Sequence, residues 1–132
     1  MQSPLVEPFE ASFPRDLHRL RGLRRELRTW LERIDVHPAQ RDAVVLAVHE
    51  AAANAIEHAG AKVTVRGARD QDRLIVVVSN DGRWSGSSPT DDLARGRGLT
   101  IMEGLMSKLE ISRAAGRTTV RMRLDLGNRS NG

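Results

Sequence analysis

"AVHEAAANAIEHAG", residues 47–60, is the stretch on which the reading of this chain turns. Its alanines favour helix, and Gly60 marks a usual helix stop. Five polar residues interrupt the apolar run: His49, Glu50, Asn54, Glu57 and His58. Glu50, Asn54 and His58 recur every fourth position, so they stand above one another on one face of a helix. A carboxylate stacked over a carboxamide has chemical uses. The carboxylate can take a proton or orient a water, and the amide oxygen suits a hard cation such as Mg²⁺, which keeps several of its own waters. From this helix alone, a solvated face with a satisfied amide reads equally well. A zinc-protease reading fails, because HExxH needs histidine at position 53 and Ala53 is there. His49 and His58 are too far apart to chelate one ion, and read as structural or surface histidines.

Outward from this helix the chain alternates its periods. Upstream, Leu17, Leu20, Leu23, Leu27, Trp30, Leu31 and Ile34 recur at three and four, which predicts a helix opened by Pro14, Arg15 and Asp16. Its other face is nearly all arginine. Glu7 to Phe13 alternates weakly and reads as a first strand. "VHPAQ" breaks the chain, and Pro38 suits the first position of the second helix. Downstream, Lys62–Ala68 and Arg73–Asn80 read as strands. The second holds a continuous apolar run and is expected to be central and covered on both sides. A Gly/Ser/Pro/Asp-rich loop follows. A short helix from Leu99 to about Met106 comes next, with Leu99, Ile101, Met102, Leu105 and Met106 as core. Two last strands, Lys108–Ala114 and Thr118–Leu126, are joined by a turn. This order predicts an α+β, two-layer sandwich: a mostly antiparallel mixed sheet with helices on one face. One domain is expected over residues 1–132, with a core at about 9–126 and a tail at 127–132.

Composition sets the bounds. The 132 residues carry a net charge of +4 and no cysteine, which removes disulfides and thiolate metal sites. The N-terminus lacks the apolar core of a signal peptide, and no run approaches a membrane span. A cytoplasmic protein is expected, with no membrane partner. Lys62 and Lys108 are the only lysines, an arginine bias that fits a bacterial genome rich in G and C. A basic balance admits nucleic acid, membrane or acidic protein partners. Aromatic residues make up only 3% and tyrosine is absent, which argues against direct nucleic-acid binding through a stacking platform.

Two further stretches weigh on the helix. "VVVSNDGRW" is a strand running straight into a polar turn with glycine, and "ARGRGLTIMEGLM" is a Gly-x-Gly opening a helix, where free N–H groups face an anion. Either is common alone, but their order after E-x-x-x-N is specific. The chain resembles the anti-sigma-factor serine/threonine kinases of the GHKL ATPase superfamily, over about Phe9 to Leu126. "HEAAANAIEHA" is similar to the N box, "SNDGRW" and "GRGLTIMEGLM" to the two glycine boxes, and "GRTTVRM" to the terminal G-T-x-V segment. The short stretch between the glycine boxes is that of this branch. No dimerisation and phosphoacceptor hairpin precedes the unit, which argues against a sensor histidine kinase.

The resemblance implies a Bergerat-type ATP-binding fold with ATP and Mg²⁺ as cofactors. It implies Glu50 as the catalytic base and Asn54 as the Mg²⁺ ligand. Asn80, Gly82 and Thr118 would lie at the adenine, and Gly96, Arg97, Gly98 and Leu99 at the phosphates, with Arg95 beside them. Its implied partners are a sigma factor and a STAS-domain anti-anti-sigma protein, with a homodimer as a further expectation. The alternative is a binding module of the same fold that sequesters a partner without phosphorylating it. Two positions depart from the pattern. Asn80 stands where the family carries an aspartate, and Arg117 where glycine is usual.

Overall fold

The computed structural model describes residues 7–58, 62–80, 104–114 and 116–127. Strand β1 (Phe9–Pro14) leads through a 3₁₀ turn (Leu17–Arg19) into α1 (Leu20–Arg33) and α2 (Pro38–His58). Strands β2 (Lys62–Arg69), β3 (Arg73–Asn80), β4 (Lys108–Ala114) and β5 (Arg117–Asp125) follow. They form a five-stranded sheet in the order β1-β2-β3-β5-β4. Every described pairing is antiparallel, so the mixed sheet expected from sequence is not seen among the described residues.

One sheet face carries the core. Val63 and Val65 of β2, Leu74, Val76 and Val78 of β3, and Val120, Met122 and Leu124 of β5 alternate inward beneath α1 and α2. The α1 ladder packs as its spacing requires, with Leu20, Leu23, Leu27, Trp30 and Leu31 buried. Leu17 departs from it and is exposed: the chain turns as 3₁₀ there, capped by the Asp16 side chain, and α1 begins only at Leu20. The α2 helix packs against both α1 and the sheet. Small residues let it sit close, with Ala47, Ala51, Ala52 and Ala55 all buried.

Strand β3 is central, as its apolar run implied, but its second face is only half-buried at Ile75, Val77 and Ser79. No second helical layer is described over it. Ile75 pairs in register with Arg123 and Val77 with Arg121, and such long stems cover part of the apolar surface beside them.

Both helices end on arginines that the sequence does not single out. Arg69 donates to the Ile34 carbonyl at 2.6 Å, just past α1. Arg15 donates through Nε to the Ile56 carbonyl and through Nη2 to that of Glu57 at 3.2 Å, in the last turn of α2. Cations there satisfy carbonyls that no N–H of the helix reaches. After α1, Asp35 takes φ 64, and Val36 N–H reaches back to the Leu31 carbonyl, a left-handed helix stop without glycine. Among the described residues no helix is long and apolar enough to cross a membrane.

Candidate functional site

The site begins at one end of the sheet. Asn80 closes β3 and lies directly opposite Thr118 on β5, while Val63 of β2 flanks Asn80 on its other side. Alternation puts all three on the buried face. Asn80 is 3% exposed and Thr118 1%. Asn80 Oδ1 and Thr118 Oγ1 are fully buried and make no hydrogen bond among the described residues. Polar atoms in this condition cost about 1–3 kcal/mol each unless something pairs with them. Two of them side by side on the central strands are a feature that folding alone does not favour.

The last turn of α2 comes to the same end. Phe13 pairs with Val63, and Val63 with Asn80, so the end of β1 adjoins this row. Arg15, two residues on, grips the carbonyls of Ile56 and Glu57. The last turns of α2 are therefore anchored at the Asn80–Thr118 end. Asn54 lies one half-turn before Ile56, buried to 9% exposure, and its Nδ2 donates to the Glu50 carbonyl at 2.8 Å. Only the nitrogen can donate to a carbonyl, so Oδ1 is the end left to accept. Glu50 is half-buried, and its carboxylate makes no hydrogen bond or ion pair with a described residue.

Each of these groups has a chemistry that a ligand could use. The buried amide and hydroxyl can read a heterocycle. One amide oxygen and one carboxylate suit an ion held mainly by water and phosphate oxygens. Among the described residues no cluster of three or more His, Cys, Asp and Glu could hold a metal by itself.

Residues 13–124 match the family described as histidine kinase-like ATPase domain. The chain belongs to this family. Comparison with curated proteins returns no match. Among solved structures, the chain is similar to the RsbU and RsbW domains of Rv1364c from Mycobacterium tuberculosis, with TM-score 0.74 and 24% identity over 91% of this chain. It spans 32% of the length of that mycobacterial chain. The SiaB-SiaC complex from Pseudomonas aeruginosa is similar at TM-score 0.60 and 19% identity, over 88% of both chains. Histidine kinase AdeS of Acinetobacter baumannii is similar at TM-score 0.56 and 17% identity, over 96% of this chain and 71% of that one. At these identities the likeness is one of fold.

Membership in a histidine kinase-like ATPase family makes this an ATP-using type of domain. Of the residues expected at such a site, Glu50, Asn54, Asn80 and Thr118 are placed on α2, β3 and β5 as above. Gly82, Arg95, Gly96, Arg97, Gly98 and Leu99 lie outside the described residues, as do Ile101 and Met102 of the expected short helix. Gly104 and Leu105 are helical and Met106 is not, while Leu105 and Met106 pack against the core. His58 closes α2, and its side chain also lies outside the description.

His49 has a defined role that spacing did not reveal. Arg24 Nη1 of α1 sits 3.1 Å from its Nδ1. A guanidinium only donates, so Nδ1 accepts and the ring is neutral with its proton on Nε2. Burial first, then the Arg24 charge, hold the imidazole below its ordinary pKa, while the Glu50 carboxylate pulls the other way. His49 thus ties α2 to α1 immediately beside Glu50.

Proposed function

We propose that this chain is an anti-sigma regulatory factor with ATP-dependent serine kinase activity toward a STAS-domain anti-anti-sigma protein. It would sequester a sigma factor, and phosphorylation of its antagonist would restore that hold. The observation that carries the nucleotide part is the pair of buried, unpartnered groups, Asn80 Oδ1 and Thr118 Oγ1, opposite one another in register. The partner-switching part is supported by likeness of fold to the RsbW-containing and SiaB-containing structures.

In this reading ATP supplies the γ-phosphoryl group. Asn80 and Thr118 orient its base, and Asn54 holds Mg²⁺ through Oδ1. Glu50 takes the proton of the acceptor serine hydroxyl, since a positioned base and charge neutralisation are most of what phosphoryl transfer asks of a protein. Gly82, Gly96, Arg97, Gly98 and Leu99 are proposed at the nucleotide on sequence grounds. Arg21 and Arg25 on the exposed side of α1 have no ion-pair partner among the described residues. They suit an acidic partner surface. We further propose one domain, a cytoplasmic setting and a homodimer.

The test is transfer from ATP with Mg²⁺ to a STAS-domain protein, read as phosphoserine by mass spectrometry. Glu50→Gln is expected to slow transfer by about a hundredfold or more with ATP binding retained. Undiminished transfer by that variant would show that Glu50 is not the base. A second reading, a binding module without transfer, is favoured by the neutral amide at Asn80. It predicts partner binding with no phosphoserine from the wild type.

A further inference from the structure

The Asn80–Thr118 row carries a consequence for which nucleotides enter. The inference rests on the nucleotide reading above. Across three strands the row is Val63, Asn80, Thr118, with Phe13 beyond Val63 on β1. Phe13 and Val63 are buried hydrocarbons. The polar recognition available in this described row is therefore one amide and one hydroxyl. Both groups donate and accept. A carboxylate at position 80 would only accept. It would favour a 6-amino purine, whose exocyclic group donates, and would repel the oxygen of a 6-oxo purine.

An amide has no such preference. With Oδ1 turned to the ring it accepts from the 6-amino group and Nδ2 donates to N1. Turned over, Nδ2 donates to the 6-oxo oxygen and Oδ1 accepts from N1–H. The Thr118 hydroxyl rotates to complete either pattern. Neither Oδ1 nor Oγ1 has a hydrogen-bond partner among the described residues, so neither oxygen ties the amide or the hydroxyl to one orientation. We propose that this site accepts 6-amino and 6-oxo purine nucleoside triphosphates alike, and that Asn80 is the residue that sets this tolerance.

The probe is inosine triphosphate against ATP, because the two differ only at position 6 and in the N1 proton that follows from it. Both are titrated calorimetrically with Mg²⁺ into the wild type and into Asn80→Asp. The expected result is affinities within about fivefold for the wild type, and a preference of about tenfold or more for ATP in Asn80→Asp. A wild-type preference for ATP of tenfold or more would overturn the inference and leave the nucleotide reading intact. Equal binding of both nucleotides by Asn80→Asp as well would remove Asn80 as the determinant. Binding of neither by the wild type would overturn the nucleotide reading, and this inference with it. The wild-type ratio decides the matter even if the variant folds poorly.

Discussion

The two ends of the buried sheet face are built on opposite terms. At one end Trp30 lies over Gly67, where an added Cβ would come within 2.9 Å of the ring. The indole Nε1–H donates to the Glu7 carbonyl at 2.7 Å, Phe9 tilts against the ring at 5.5 Å between centroids, and Arg69 closes the end of α1. Every polar group named there is paired. At the other end, Asn80 and Thr118 are as deeply buried, and Asn80 Oδ1 and Thr118 Oγ1 have no hydrogen-bond partner among the described residues. One end is spent on stability. The other carries a cost that a bound ligand would remove, as functional sites commonly do.

Substitutions at the two ends should part company. Gly67→Ala forces the Trp30 ring to move in a packed layer and should destabilise the protein by about 1–3 kcal/mol, read from the denaturation midpoint. Nucleotide affinity should change little, because the position lies four residues along β2 from Val63. Unchanged stability would mean that the Trp30 end is loosely packed. Thr118→Val should do the reverse. Removing a buried hydroxyl without a partner should leave stability unchanged or raise it by about 1 kcal/mol. A marked fall in melting temperature would mean that the hydroxyl is already satisfied in the folded protein.

A smaller effect sharpens the contrast from between the ends, at the α1–α2 contact. His49 is held neutral in the folded chain by burial and by Arg24. As pH falls through about 6.5 the unfolded chain takes up the proton first, so the contribution of His49 is full above that pH and is lost below it, down to the lowered folded value. His49→Gln should flatten this part of the stability profile relative to wild type. A profile with the same slope between about pH 7.5 and about pH 5 would show that His49 is solvated and free to titrate.

Much of the frame was legible from sequence for identifiable reasons. The three-and-four spacing of leucines in α1, Pro38 at the head of α2 and the uninterrupted apolar run of β3 each express one local rule strongly. The E-x-x-x-N pair was legible because four residues return to one helix face. Other features depend on register or on distant partners. Nothing local to Leu17 says that the chain turns as 3₁₀ before α1. With 21 basic residues, nothing marks Arg15, Arg24 and Arg69 as the three that reach a helix end or a histidine. Most consequential, the sequence pointed to Asn80 and Thr118 through resemblance alone. Only the β3–β5 register places them side by side, and only the packing leaves both without partners.

We propose above that the unpaired end of the sheet is a nucleotide site. The most direct test of that proposal is calorimetric titration of ATP with Mg²⁺ into the wild type and Thr118→Val. The account predicts saturable wild-type binding in the micromolar to sub-millimolar range, about −5 to −8 kcal/mol. It also predicts affinity about fivefold or more weaker in a variant that melts no lower. Equal affinity in both proteins, or no binding by the wild type, would contradict it.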